Sequence, residues 1–214
     1  MSDSEIATFV FLDLETTGLI REGKPAPSVT ELCMVAVQRE DMLKTVYPRV
    51  LNNFVLCFNP GEAKLSTEAK QLTGLTNTCL QEQKKFDKSA MNVINSFLRR
   101  LRGPVCLLAH NGNEFDFRLL VAESQNAGKP FLEPLLCADT LEAFRSTRKR
   151  NSAGARQSFA LGRIYQREIG RPSPSCHNAA ADVKTLIEVS QKMPSEFVSW
   201  VDDHAVPFSS ITAP

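Results

Sequence analysis

The sequence predicts an α/β layer fold, a mixed five-stranded central sheet with helices on both faces. Two observations carry this. Three strand-like apolar runs come first in the chain, and helical and strand-like segments then alternate to its end. A third observation bounds it: 214 residues, 43% of them hydrophobic, fall near the ~100–200 residues usual for one domain. We read residues 1–214 as a single domain, able to bury a core without help from disulfides.

The first strand is Thr8 to Leu14, an apolar run broken by Thr16-Thr17-Gly18. A loop with two Gly- or Pro-rich turns follows, as far as Ser28. Glu31 to Arg39 and Phe54 to Asn59 read as two further strands, making an antiparallel start that Pro60-Gly61 ends. Ser66 is the N-cap of a short helix ending at Gly74. Asp87 caps a longer one, with Met91, Ile94, Leu98 and Leu101 on one face and Gly103 beyond its end. Val105 to Ala109 is the fourth strand, Asn113 to Ala127 a helix stopped by Gly128, and Leu135 to Asp139 the fifth strand. A basic loop leads to helices at about 158–169, 179–192 and 195–204. There is no internal repeat.

The formal net charge is +1, so contact with a polyanion must come from local clusters or metal ions. One cluster is Arg99-Arg100-Leu101-Arg102, which reads as a solvated face. The other runs from Arg145 to Arg156 and holds Arg148, Lys149 and Arg150 with no acidic residue. Its Ser, Gly and Ala content suggests a mobile loop with a binding role. Six cysteines at 33, 57, 79, 106, 137 and 176 show no C-x-x-C pair. Four of them sit in apolar runs as small hydrophobes, which fits a reducing compartment without disulfides. The N-terminus is polar, and no apolar run reaches the ~18 residues of a membrane span.

Three acidic or histidine-bearing clusters carry chemistry. Asp13-Leu14-Glu15 closes the first strand, where positions i and i+2 share a face. Two carboxylates there repel each other and suffer desolvation unless a cation lies between them. Oxygen ligands at a rigid site suit Mg²⁺, or Mn²⁺. Alone the pair is weak, because strand ends are commonly acidic. In the second cluster a strand runs into His110-Asn111-Gly112, and Asp116 lies in the first turn of the next helix. A carboxylate favoured by the helix dipole is the bland alternative. The third is His177-Asn178-Ala179-Ala180-Ala181-Asp182. Five residues at ~100° each would set His177 roughly 140° from Asp182 if both were helical. His177 is therefore expected before the helix, on the Pro172-Ser173-Pro174-Ser175 loop. An exposed loop histidine beside an N-terminal helix aspartate is the competing reading.

In this order the clusters match the DEDDh exonucleases, which are ribonuclease H-like. More closely, the chain resembles the three-prime repair exonuclease family. The resemblance covers nearly the whole chain: F-L-D-L-E-T-T-G-L at 11–19, V-T-E-L-C at 29–33, L-T-G-L-T at 72–76, L-A-H-N-G at 108–112 and W-V-D-D-H-A-x-P-F at 200–208. The last points to a member with a C-terminal membrane-anchoring tail.

The resemblance implies a 3′→5′ exonuclease that releases nucleoside 5′-monophosphates from DNA 3′ ends, single-stranded or frayed. Asp13, Glu15 and Asp182 would hold two Mg²⁺ ions with Mn²⁺ as a substitute, Asp116 would assist, and His177 would be the general base. Thr16, Gly18, Leu19 and Leu72 would cradle the terminal nucleotide, with His110, Asn111 and Phe115 in the same pocket. Arg156 and Ser158 would grip the strand, and Arg148, Lys149 and Arg150 belong to a basic DNA-binding loop. A homodimer is expected through the edge of the third strand, whose Phe54–Phe58 run is apolar on both faces. The implied location is the cytoplasm and the nucleus, with the endoplasmic reticulum added if a tail follows this sequence. Phe115 and Phe159 stand where close relatives carry Tyr, and Glu114 stands where some carry Arg. An RNA exonuclease of the same superfamily and an inert nucleic-acid-binding adaptor are the alternatives.

Overall fold

A computed structural model describes residues 5–44, 46–50, 52–147, 157–174 and 177–214. Its strands are β1 (Thr8–Thr16), β2 (Val29–Gln38), β3 (Asn52–Cys57), β4 (Val105–Ala109), β5 (Leu136–Asp139) and β6 (Val206–Pro207). Its helices are α1 (Arg39–Met42), α2 (Thr67–Thr73), α3 (Asn77–Leu80), α4 (Lys88–Arg99), α5 (Asp116–Asn126), α6 (Thr140–Thr147), α7 (Leu161–Ile169), α8 (Ala179–Ser190) and α9 (Pro194–His204). The sheet is mixed, in the order β3-β2-β1-β4-β5-β6. The first three strands form an antiparallel meander, β1, β4 and β5 are parallel, and β6 returns antiparallel to β5.

The expected fold class is the one observed, with one correction: the described sheet has six strands, not five. The sixth is two residues long and includes Pro207, too short to leave a period-two pattern in the sequence. A second difference is α6. The sequence reading places no helix directly after the fifth strand; the last three residues of α6, 145–147, overlap the start of the segment read as a basic loop, and Ala143 and Phe144 anchor the helix in the core. Arg145 pairs with Glu142 on that helix at 2.6 Å.

Side chains alternate along β1, and this sorts the core into two layers. Val10, Leu12 and Leu14 pack with Met91, Ile94 and Leu98 of α4 and with Phe117, Leu119 and Leu120 of α5. Phe9 and Phe11 face the opposite layer, against Ile164 and Tyr165 of α7, Val183, Leu186 and Ile187 of α8, and Phe197 of α9. Helices thus cover both faces, and Asp13 and Glu15 continue the second layer's row toward α8. Among the described residues no helix is long and apolar enough to cross a membrane, and the described cysteines 33, 57, 79, 106 and 137 are free.

Candidate active site

β1 runs on to Thr16 while its pairing with β4 ends at Phe11. The strand end that carries Asp13 and Glu15 is therefore open on the β4 side, where the start of α5 brings in Asp116. From the layer above, α8 lowers Asp182. The carboxylate oxygens of Asp13, Glu15 and Asp182 lie within 4.8 Å of one another. Asp116 is buried beside this trio and outside that distance.

The electrostatics record how crowded the charge is. Burial, then Asp116, Asp182, Glu15 and Glu31, push the Asp13 carboxyl well above its ordinary range. Burial and then Asp182, Glu31 and Asp116 raise Glu15 to about 8. Burial also raises Asp116, to about 7, against the opposing pull of its own backbone N–H. Asp182 is raised by burial, with partial relief from the His177 backbone N–H. Among the described residues no cationic side chain contributes to the shifts of Asp13 or Glu15. An all-oxygen donor set with this much uncompensated charge fits a hard divalent cation.

His177 stands outside α8, as the angular argument requires: Asn178 is the N-cap, its side chain accepting from Ala181 N–H at 3.1 Å. The His177 backbone N–H donates to Asp182 Oδ2 at 2.7 Å, which lets the histidine and the aspartate serve one point from different backbone segments. His177 has φ 68, and the only other non-glycine residue with positive φ among those described is Asn111, at φ 66. Both lie in the left-handed region that costs most residues energy and clusters at functional sites.

Two adjoining clefts meet at the carboxylates. The first, about 330 Å³, is lined by Asp13, Glu15, Thr16, Gly18, Leu19, Leu72, His110, Phe115, Asp116, His177 and Asp182, among others. Leu19 and Leu72 are 71% and 53% exposed, two large apolar side chains held out into it. The second cleft shares Asp13, His110, His177 and Asp182 and is otherwise lined by α7 and the Pro172-Ser173 turn. Asn111 and Ser158 line neither cleft. Asn111 instead turns the chain, its N–H donating to Asp139. Arg148, Lys149, Arg150 and Arg156 lie outside the described residues.

His110 lines both clefts with its ring already engaged, Nε2 2.9 Å from the Phe159 carbonyl and Nδ1 3.2 Å from Thr140 Oγ1. Burial lowers its pKa, so a neutral ring donating from Nε2 fits the site. Sequence reasoning missed what holds this turn. Asp139 at the end of β5 is buried and accepts from the N–H groups of Asn111 (2.9 Å), Asn113 (3.1 Å) and Leu141 (2.9 Å). Gly112 is obligatory for space, since a Cβ there would lie 2.7 Å from the Phe117 ring and 2.8 Å from Ala109 Cβ. Arg21, Ser66 and Glu68 at the rim of the first cleft were missed too. Nothing local marks them, because loop and helix meet there only through the fold.

The sequence matches the RNase_T family, described as exonuclease, over residues 10–190. It is 37% identical to three-prime repair exonuclease 1 of Bos taurus, across 96% of this chain and 70% of that one. It is 35% identical to three prime repair exonuclease 2 of Homo sapiens, across 92% and 88%. Among solved structures, an E. coli exonuclease I–single-stranded DNA complex in its zinc-bound form superposes with a TM-score of 0.72 at 18% identity, over 92% of this chain and 43% of that one. The nuclease domain of the DEDDh member 3′hExo bound to rAMP gives 0.66 at 17% identity, over 90% and 94%. The structural likenesses show the fold, and the sequence matches show the lineage: the chain belongs to the RNase T exonuclease family and, within it, to the three-prime repair exonucleases.

Proposed function

We infer that the chain is a Mg²⁺-dependent 3′→5′ exodeoxyribonuclease that releases nucleoside 5′-monophosphates from single-stranded or frayed DNA ends. The observation that carries this is the placement of three mutually repelling carboxylates at the floor of a cleft walled by two exposed leucines. The names of the sequence relatives support a 3′ end as substrate, and the single-stranded DNA in one structural neighbour supports DNA.

Asp13, Glu15 and Asp182 would hold the metal, with Asp116 beside them. Two bound Mg²⁺ ions, or Mn²⁺ in their place, would supply charge neutralisation and stabilise the attacking and leaving oxygens. Leu19 and Leu72 wedge the last base, an apolar contact every base can make. Phe115 closes the same cleft near Asp116. His177 takes a proton from the water that attacks phosphorus, and the bond from phosphorus to the 3′ oxygen of the preceding nucleotide breaks. The products are a 5′-monophosphate and a strand one nucleotide shorter with a free 3′ hydroxyl. An imidazole suits this task because histidine exchanges its proton near neutral pH. The basic segment holding Arg148, Lys149, Arg150 and Arg156 would grip the strand, together with Ser158.

We read residues 1–214 as one exonuclease domain that pairs with a second copy. β3 is an edge strand with Val55 44% exposed, a free edge of the kind that pairs or aggregates if left open. Light scattering at micromolar concentration should give a dimer, and monomer alone would defeat that part. Digestion of end-labelled DNA with and without Mg²⁺ tests the activity itself. Stepwise loss of mononucleotides only with Mg²⁺ is expected. A matched RNA strand serves as comparison, since a structural neighbour carries rAMP. Faster turnover of RNA would overturn the choice of substrate.

A further inference from the structure

Glu31 is a buried carboxylate that the reaction described above leaves unused. It stands directly opposite Glu15 in the β1–β2 ladder and adds to the negative field on both Asp13 and Glu15. Like charges facing each other across a ladder are unfavourable, and so is burying a carboxylate. What offsets this is a contact made 148 residues away. Glu31 Oε2 accepts the backbone N–H of Ala179 at 3.0 Å, while Oε1 lies 3.9 Å from Cys57 Sγ on β3.

Ala179 is the first residue of α8, so its N–H is one of the donors that a helix leaves without an internal acceptor. Two neighbouring donors are satisfied within the segment itself: Ala181 N–H by Asn178, and His177 N–H by Asp182. Of these three bonds only the one to Glu31 reaches the sheet. It joins the start of α8 to the strand beside β1, and that start carries His177 and Asp182. Glu31 lines neither cleft and is not one of the carboxylates whose oxygens converge.

We propose that Glu31 is a positioning residue, whose oxygen sets the height of the 177–182 segment over β1 by accepting the Ala179 N–H. The acceptor oxygen matters and the charge does not. This assignment rests on the exonuclease reading for its effect on rate, and the contact can be read without turnover.

Glu31→Leu and Glu31→Ala remove the acceptor, and Glu31→Gln keeps it without the charge. On end-labelled single-stranded DNA, the first two should lower kcat by roughly 10–100-fold, as loss of a supporting hydrogen bond behind a metal site does, with KM nearly unchanged. Glu31→Gln should recover most of that rate. Hydrogen exchange at the Ala179 amide should show protection in the wild type and Gln variant and lost protection in the Leu and Ala variants. If Gln is as slow as Leu and Ala, the charge is what counts and the proposal fails. If the Leu and Ala variants only melt at lower temperature while their folded fraction keeps the wild-type kcat, or if Ala179 protection is indifferent to the substitution, it fails as well. A wild-type protein that releases no nucleotide yet shows the expected exchange pattern overturns the exonuclease reading and upholds the contact.

Discussion

At the scale of single residues the site is a problem of surplus charge. Glu15 ordinarily titrates near 4.5 and in the fold near about 8. Across that window the folded chain holds a proton that the unfolded chain has lost, so the metal-free protein loses stability as pH rises. Asp116, raised to about 7, acts in the same direction. The Tm of the metal-free protein should therefore fall between roughly pH 5 and pH 8, and added Mg²⁺ should raise it more at the upper end. A Tm that rises with pH in the absence of metal would contradict the charge arrangement. Asp13→Asn should raise the metal-free Tm at pH 8 and abolish nucleotide release, which calorimetry and the end-label assay check. His177→Ala should keep Mg²⁺ affinity and lose roughly 10²–10⁴-fold in kcat; if its rate recovers at high Mg²⁺, the histidine is a ligand instead. Asp13 and Glu15 were legible from the two-residue period of a strand, and the off-helix position of His177 from 100° per residue. Glu31 was not, because its partner Ala179 is distant in the chain and offers only a backbone N–H.

The elements repeat that contrast. α4 announces itself by Asp87 at its cap and by Met91, Ile94 and Leu98 on its buried face, and it starts where expected. α5 starts at Asp116 and not at Asn113, because Asn111 to Phe115 are turned by Asp139 and by the close packing of Gly112. β5 ends in Asp139, a buried carboxylate that organises the loop beside it. Asp139→Ala would strip an acceptor from three backbone N–H groups. At about 1–3 kcal/mol for each buried donor left unpaired, chemical denaturation should show a loss of several kcal/mol, less whatever water recovers. His110 should shift with the loop, and KM for DNA should rise. An unchanged denaturation midpoint would show that Asp139 is not the anchor.

For the whole molecule, a net charge of +1 leaves attraction to a phosphate chain to local features. The carboxylates repel it, and the uninterrupted basic segment at 148–156 is the counterweight in the sequence. Replacing Arg148, Lys149 and Arg150 by Ala should raise KM more than it lowers kcat. Removing three cations that each neutralise a phosphate of a single strand should flatten the dependence of log affinity on log salt by up to ~2. Binding titrations at several salt concentrations measure this, and an unaltered slope would remove the segment from the interface. The fold class was legible at this scale from the order of elements alone. The sixth strand was not, since two residues ending in proline have no pattern to read.

One wall of the first cleft has a stability of its own. Helix α2, which presents Leu72, buries none of its residues; it is fastened at its leading end by the Ser66 N–H on the Thr17 carbonyl at 2.8 Å and by the Ser66 side chain on Ala69 N–H at 3.0 Å. A segment with so little apolar burial opens locally, far more often than the molecule unfolds. Its amides should exchange with deuterium orders of magnitude faster than those of β1. If Leu72 holds a terminal base as proposed, that hold is released at the frequency of this local fraying, and the residence time of the product is decoupled from the thermal endurance of the core.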